Sequence, residues 1–227
     1  SKRFPNHFEY ISKTDQERCE NMPDILKDKT PYVRTQKCDG SSATYILEVT
    51  NSHRLKKEYE FYVCSRNLRV FKETDPLADA GNPYWEMAEK YDIENKLKDY
   101  LDKQDKCRYV CWQGEICGPK IQGNPHKLSE NHLFCFHMID SNGKFDIREA
   151  KKVWDEYEME SVPIEDDEYI LPDDFEEFKQ TADGYYSPEV CDGKTKCSME
   201  GWVYYKTTEP DFSFKNISRK YLLKRGE

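Results

Sequence analysis

Lys37, in the segment KCDG (37–40), is the residue on which chemistry would turn. A free lysine has a pKa of about 10.4, so its amine becomes a nucleophile only where nearby cations depress that value. Asp39 lies two residues on, and three further segments place charge at strand ends or turns. Glu115 closes QGE, Glu200 precedes Gly201 in MEGWVYY, and Lys215 lies in FKNISRKYLLK. CSRN (64–67) adds Arg66 and Asn67. One lysine nucleophile, three carboxylates, an arginine and a second lysine suit covalent nucleotidyl transfer. Mg²⁺ or Mn²⁺ near Lys37 would lower its pKa, with Asp39, Glu115 and Glu200 holding the ion's water shell. Lys215 and Arg66 could neutralise the α-phosphate under attack, and Phe136 or Phe134 could stack on the base.

Each segment also has a plain structural reading. Charged residues often end strands, and Asp39-Gly40 between two strand patterns reads as a hairpin turn with Lys37 solvated at its rim. The order and company of the segments favour the chemical reading.

The elements that must position these residues are short and mixed. Thr14 or Asp15 could cap a helical turn at Gln16–Cys19 that Pro23 ends. Strands are expected at Tyr32–Gln36, Ala43–Thr50 and Glu58–Cys64, the last two forming a hairpin through SHRLKK. Asp75–Pro83 reads as a loop. Residues 84–103 show helical spacing of Trp85, Ala88, Tyr91, Leu97 and Leu101, which predicts one long amphipathic helix. A strand at Arg108–Gly114 leads into a Gly/Pro-containing loop, and HLFCFHMI (132–139) is a strand turning at DSNG (140–143). A partial calcium-loop pattern there has Met138 at its first position, where a carboxylate is needed, so it reads as a hairpin turn. Ile147–Tyr157 predicts a helix, EDDEYILPDD an acidic surface loop, and DFEEFKQTA a helix capped by Asp173 or Asp174. SMEGWVYYKTT, FSFKNI and YLLK read as strands. The expected class is α+β, mostly antiparallel sheets flanked by helices.

Bulk properties narrow the function. The 227 residues suffice for a large core, and 14% aromatic content supplies it despite a mean hydropathy of −0.99. No run reaches the ~18 apolar residues of a membrane span, so no membrane partner is expected. A formal charge of −9 argues against a uniformly basic nucleic-acid wrapper but permits a local basic groove. Nine scattered cysteines, an odd number, suit reduced thiols in an intracellular protein of cytoplasm or nucleus better than a disulfide framework. Cys107, Cys111, Cys191 and Cys197 lack the two-residue gap typical of zinc ligands.

In order along the chain, KCDG, SRN, QGE, HLFCFHMI, EGWV and FKNIS resemble the successive motifs of the ligase and capping-enzyme superfamily of covalent nucleotidyltransferases. The combination of KTDQER, KCDGSSATY, CSRN, QGEICGPKIQGN and SFKNIS..YLLK is narrower and resembles the ATP-dependent RNA ligases of the Deinococcus and Naegleria type, from residue 13 to residue 224. The resemblance implies an ATP-grasp-like nucleotidyltransferase domain over residues 1–227. It implies Lys37 as the adenylylated lysine and Lys215 as the α-phosphate contact. Asp39, Glu115 and Glu200 become metal residues, and Gln36, Arg66, Asn67, Phe136, Glu200, Lys224 and Arg18 nucleotide-site residues. Relatives often have two lysines separated by one residue in the last motif. Here Asn216 and Ile217 follow Lys215, and Lys224 is taken as the second cation ahead of Lys220 and Lys206. Relatives also carry an OB-fold domain, and none is visible in this sequence.

The implied function is ATP-dependent RNA ligation by a monomer, acting on RNA with 5′-phosphate and 3′-hydroxyl ends or on a nicked duplex. The alternatives are a DNA ligase, a GTP-dependent capping-type enzyme, and an inactive nucleotide- or RNA-binding module.

Overall fold

The computed structural model describes residues 2–12, 14–53, 56–72 and 82–226. Lys13, the tip of the SHRLKK connection and most of the expected Asp75–Pro83 loop lie outside them.

The N-terminal segment contributes β1 (Lys2–Arg3), a helical turn α1 (Glu9–Ser12) and β2 (Glu17–Arg18). Then follow β3 (Tyr32–Gln36), β4 (Ser41–His53), β5 (Lys56–Cys64), β6 (Leu68–Arg69), α2 (Pro83–Lys90) and α3 (Ile93–Asp102). The middle holds β7 (Tyr109–Cys117), β8 (His132–Asp140), β9 (Gly143–Lys144), α4 (Ile147–Glu156) and β10 (Ile164–Tyr169). The chain continues with α5 (Phe175–Gln180), β11 (Gly201–Lys206), β12 (Ser213–Ile217) and α6 (Arg219–Lys224).

Two sheets result, one ordered β1-β6-β5-β4-β7-β8-β9 and the other β10-β3-β11-β12-β2. Neighbouring strands are antiparallel except for β12 beside β2. Alternation along β4 divides its side chains between two clusters. Tyr45, Leu47 and Val49 join the main core with Met87, Leu97 and Leu101 of α2 and α3. Ile46 packs with Phe4, Phe8 and Ile11 of the N-terminal segment. All nine cysteines are free and buried.

Several expectations are corrected. Asp39-Gly40 is not a hairpin turn: β3 belongs to one sheet and β4 to the other, so residues 37–40 carry the chain between sheets. The long helix over 84–103 is two helices, broken where Asp92 takes a left-handed φ of 52°. Asn82 caps the first of them, its Oδ1 accepting from Tyr84 N at 3.0 Å, with Pro83 at the first helical position. Instead of a helical turn at 16–19, Glu17–Arg18 forms β2 and a single 3₁₀ turn follows at Cys19–Asn21. The acidic stretch after Ile164 contains the edge strand β10, whose charges discourage further pairing. YLLK is helical, not extended, because Ser218 caps α6 and its Oγ accepts from Tyr221 N at 3.2 Å.

Among the described residues no helix is long and apolar enough to cross a membrane.

Candidate active site

The backbone of residues 37–40 is held at four points. Lys37 N donates to Gly201 O at 3.0 Å, extending the β3–β11 ladder by one bond. Tyr186 Oη donates to Lys37 O at 2.6 Å and accepts from Glu200 N at 3.3 Å. Asp39 N donates to His126 Nε2 at 3.0 Å, and Gly40 N donates to Glu115 Oε1 at 3.2 Å. Gly40 is required because a Cβ there would lie 2.0 Å from Ile116 O. His126 Nδ1 lies 2.7 Å from Val190 O, so one tautomer satisfies both contacts: Nδ1 donates and Nε2 accepts. Burial holds its pKa below the usual imidazole value, which keeps that neutral form. The ring stacks on Tyr186 with centroids 4.1 Å apart.

The Lys37 ammonium lies 3.3 Å from each carboxylate oxygen of Glu200, with the two side chains 23% and 18% exposed. Burial would lower the Lys37 pKa, but Glu200, Glu115 and Asp39 outweigh it and raise the value. Burial pushes Glu115 up to about 7, against the pull of Lys37 and with the repulsion of Glu200. Glu200 is also raised, by burial first.

Sheet register delivers the second cation. Thr35 pairs with Val203, Val203 with Lys215, and Lys215 with Arg18, one row across four strands. Lys215 is pushed below the ordinary lysine value by burial and by the neighbouring charges of Lys37 and Arg18.

A cavity of about 460 Å³ opens over Lys37, lined among others by Asp39, Arg66, Asn67, Glu115 and Phe136. Phe136 reaches it through a β-bulge. Gln113 pairs with His137 but Gly114 pairs with Cys135, which leaves Phe136 as the extra residue. Phe134 is buried and stacks on His132 instead. Gln36 lines the cavity while its Oε1 accepts from Ser187 N at 3.1 Å. Arg66 pairs with Asp15 at the rim.

The remaining expected residues are distributed around this centre. Glu200 touches Lys37, Lys215 lies within electrostatic reach of both, and Arg18 lies within reach of Lys215. Lys224 lines a second cavity with Tyr221 and Arg225. Lys220 faces Asp183 at 3.7 Å, and Lys206 pairs with Asp28 at 3.1 Å.

Four residues escaped the sequence reading: His126, Tyr186, Tyr221 and Arg225. Tyr221 donates to Asp39 Oδ2, and Arg225 Nη1 lies 3.5 Å from the same oxygen. No motif marks the first two, whose importance is where their loops fold. The Ser218 cap was the available signal for the helix that presents the other two.

The oxygen donors Asp39, Glu115 and Glu200 match the preference of a hard divalent cation. Their charge supplies a reason to bind one, because a cation would offset the burial and the mutual repulsion that raise Glu115 and Glu200. Among the described residues, three potential ligand atoms come within 4.8 Å of one another at Cys191, Asp192 and Cys197. The Asp192 carboxylate there already caps Lys194 N and Thr195 N, both at 2.9 Å. The active-site carboxylates instead surround Lys37, an arrangement suited to holding a cation through water.

The RNA ligase family model matches residues 30–222. No curated protein sequence matches the chain. Among solved structures, the Naegleria gruberi RNA ligase with PPi is 29% identical, with a TM-score of 0.75 over 98% of this chain and 59% of that one. A mutant of that ligase with ATP and Mn is 28% identical, with a TM-score of 0.77 over 99% of this chain and 59% of that one. Another mutant, with AMP and Mn, is 28% identical, with a TM-score of 0.76 over 98% of this chain and 60% of that one. The chain therefore spans about three fifths of the length of these relatives.

Proposed function

The chain belongs to the RNA ligase family, and from that premise we propose that residues 1–227 form the adenylyltransferase unit of an ATP-dependent RNA ligase. The observation that carries the reading is Lys37, in contact with Glu200, in the wall of a cavity also lined by Glu115, Arg66 and Phe136. Solved relatives that hold ATP with Mn, AMP with Mn, or PPi support the nucleotide and the metal.

In the first step Lys37 Nζ, having lost its proton, attacks the α-phosphorus of ATP. The Nζ–P bond forms, the bond to the β-phosphate oxygen breaks, and pyrophosphate leaves with the electron pair. Glu200, in contact with the ammonium and raised in pKa, is placed to take the proton. Asp39, Glu115 and Glu200 would hold Mg²⁺ or Mn²⁺ through water, whose positive charge offsets the attraction that retains the lysine proton. Lys215 and Arg66 face the charge that gathers on the α-phosphate. Phe136 stacks on the adenine, while Asn67 and Gln36 complete the wall around the nucleotide. Arg18, beside Lys215, adds positive charge at the phosphate end.

AMP then passes to an RNA 5′-phosphate, and a 3′-hydroxyl attacks that activated phosphate and releases AMP. The substrates are RNA ends of this kind, including those at a nick, and the working unit is a monomer. Nine buried free thiols support an intracellular location.

Incubation with α-labelled ATP and Mg²⁺ tests the reading, comparing wild type with Lys37→Met. Covalent label on the wild type alone is expected. No label on the wild type would sink the enzymatic reading, and label retained by the variant would remove Lys37 from its role.

A further inference from the structure

The second cavity, about 230 Å³, is walled by Lys127, Lys196, Tyr221, Lys224 and Arg225. Four cations around one concavity stand against a chain charge of −9. Among the described residues no carboxylate pairs with Lys127, Lys196 or Lys224, while Arg225 donates to Gln122 O at 3.1 Å and reaches Asp39. Unpaired like charges facing a shared space repel one another, and an anion seated among them removes that repulsion.

A second feature adjoins it. Tyr185 is 58% exposed, and Lys196 Nζ lies 5.4 Å from its ring centroid. Tyr185 forms a β-bridge with Ser198, which itself lines the cavity. An exposed aromatic face beside a group of cations is the combination that binds single-stranded nucleic acid: charge holds the backbone and the ring takes a base.

Tyr221 joins this cavity to the reaction centre, since it lines the cationic cavity and its hydroxyl donates to Asp39, which lines the cavity over Lys37. A strand lying among the cations would therefore be one side chain away from the catalytic carboxylates.

We propose that this cavity is a subsite for single-stranded RNA, taking a backbone phosphate among Lys127, Lys196, Lys224 and Arg225 with the adjacent base stacked on Tyr185. The assignment rests on the ligase reading for the identity of the strand. The β- and γ-phosphates of ATP offer the same anionic chemistry, and the test separates the two.

The experiment measures fluorescence anisotropy of a labelled, 5′-phosphorylated single-stranded RNA with the full chain, beside self-adenylylation by labelled ATP. The variants are Lys127→Asn with Lys196→Gln, Tyr185→Ala and Tyr185→Phe. Asn suits position 127 because it tolerates the left-handed φ of 54° there. The double variant is expected to bind RNA about tenfold more weakly, with a salt slope shallower by about 0.7 for each phosphate no longer neutralised. Tyr185→Ala is expected to weaken binding about tenfold with the slope unchanged, and Tyr185→Phe to retain it. Self-adenylylation stays at the wild-type level in all three. Unchanged RNA affinity and slope in the variants, or no RNA binding by the wild type, would overturn the proposal. An equal fall in self-adenylylation would also overturn it, by assigning the cavity to ATP. Absence of self-adenylylation in the wild type would instead count against the ligase reading and leave the anisotropy to decide the subsite.

Discussion

Glu200 holds the Lys37 ammonium symmetrically, with both carboxylate oxygens 3.3 Å from Nζ. The resting protein thus stabilises the protonated, non-nucleophilic form of the residue proposed to attack. Self-adenylylation should accelerate as pH rises toward the raised Lys37 pKa, since only the free amine reacts. Replacing Glu200 by Gln removes the largest attraction on that proton. The pH–rate profile of Glu200→Gln should move toward lower pH while its maximum falls, because a carboxylate for the cation is also lost. Labelled AMP incorporation from about pH 6 to about pH 10 measures this, and an unshifted profile would count against Glu200 as the group retaining the proton.

Glu115 makes a separate prediction about stability. Its folded pKa of about 7 lies above the ordinary 4.5, so between those values the folded state binds more protons than the unfolded one. Stability contributed by this group therefore falls as pH rises from about 4.5 to 7 and stays low above. Glu115→Gln keeps an oxygen for Gly40 N and removes the buried charge. The variant should be more stable than wild type at pH 8, by on the order of 1–3 kcal/mol, with little difference at pH 4.5. Mg²⁺ should raise the melting temperature of the wild type at pH 8 more than that of the variant.

The frame around Lys37 predicts a third outcome. Tyr186→Phe leaves the ring that stacks on His126 and deletes the hydroxyl shared by Lys37 O and Glu200 N. The stability cost should be about 1–3 kcal/mol, that of two backbone groups losing one partner. Self-adenylylation should slow by about tenfold to a hundredfold, since a small displacement of a nucleophile is costly. Single-turnover rates at saturating ATP read the effect, and a rate equal to wild type would make Tyr186 merely structural.

His126 acts on the next residue of the same frame. His126→Phe leaves both Asp39 N and Val190 O without partners in a buried setting, which should cost about 1–3 kcal/mol in chemical denaturation. His126→Gln can restore one bond and should recover part of the rate. A faster rate in His126→Phe than in His126→Gln would show that the ring's bulk, rather than its hydrogen bond, matters.

The parts of this architecture legible in the sequence are those written locally. Alternation and aromatic content marked β3, β4, β5, β7, β8, β11 and β12, and the Asp173-Asp174 pair marked the start of α5, which Asp174 caps. The misread parts depend on partners far along the chain. Asp39-Gly40 has the local chemistry of a hairpin, yet β11 claims β3 while β5 and β7 claim β4. YLLK is too short to show a period, and the acidic β10 is extended only because β3 offers an edge. At the site, Lys37, Glu115 and Glu200 were legible as unusual charges at strand boundaries and do come together. His126 and Tyr186 were not, since a buried histidine and a tyrosine acquire their roles from the fold of two loops that no spacing announces.

Phe136 gives the last prediction, because the bulge in β8 separates its contribution from that of its neighbours. As the extra residue between two pairing registers, it can be replaced without disturbing a ladder partner. Phe136→Leu keeps much of the apolar area but loses the aromatic face, whereas Phe136→Ala loses both. Stacking adds about 0.5–1.5 kcal/mol beyond area burial, so the KM for ATP in self-adenylylation should rise modestly in Phe136→Leu and about tenfold or more in Phe136→Ala. The rate at saturating ATP should change less, since the proposed stacking puts the ring against the base and away from the reacting phosphorus. A ring that stacks on any purine also cannot choose between them, so the preference for ATP over GTP should survive both substitutions. A KM unchanged in Phe136→Ala would place the adenine elsewhere in the cavity, and a collapse of the ATP preference would give Phe136 a selective role that stacking alone does not supply.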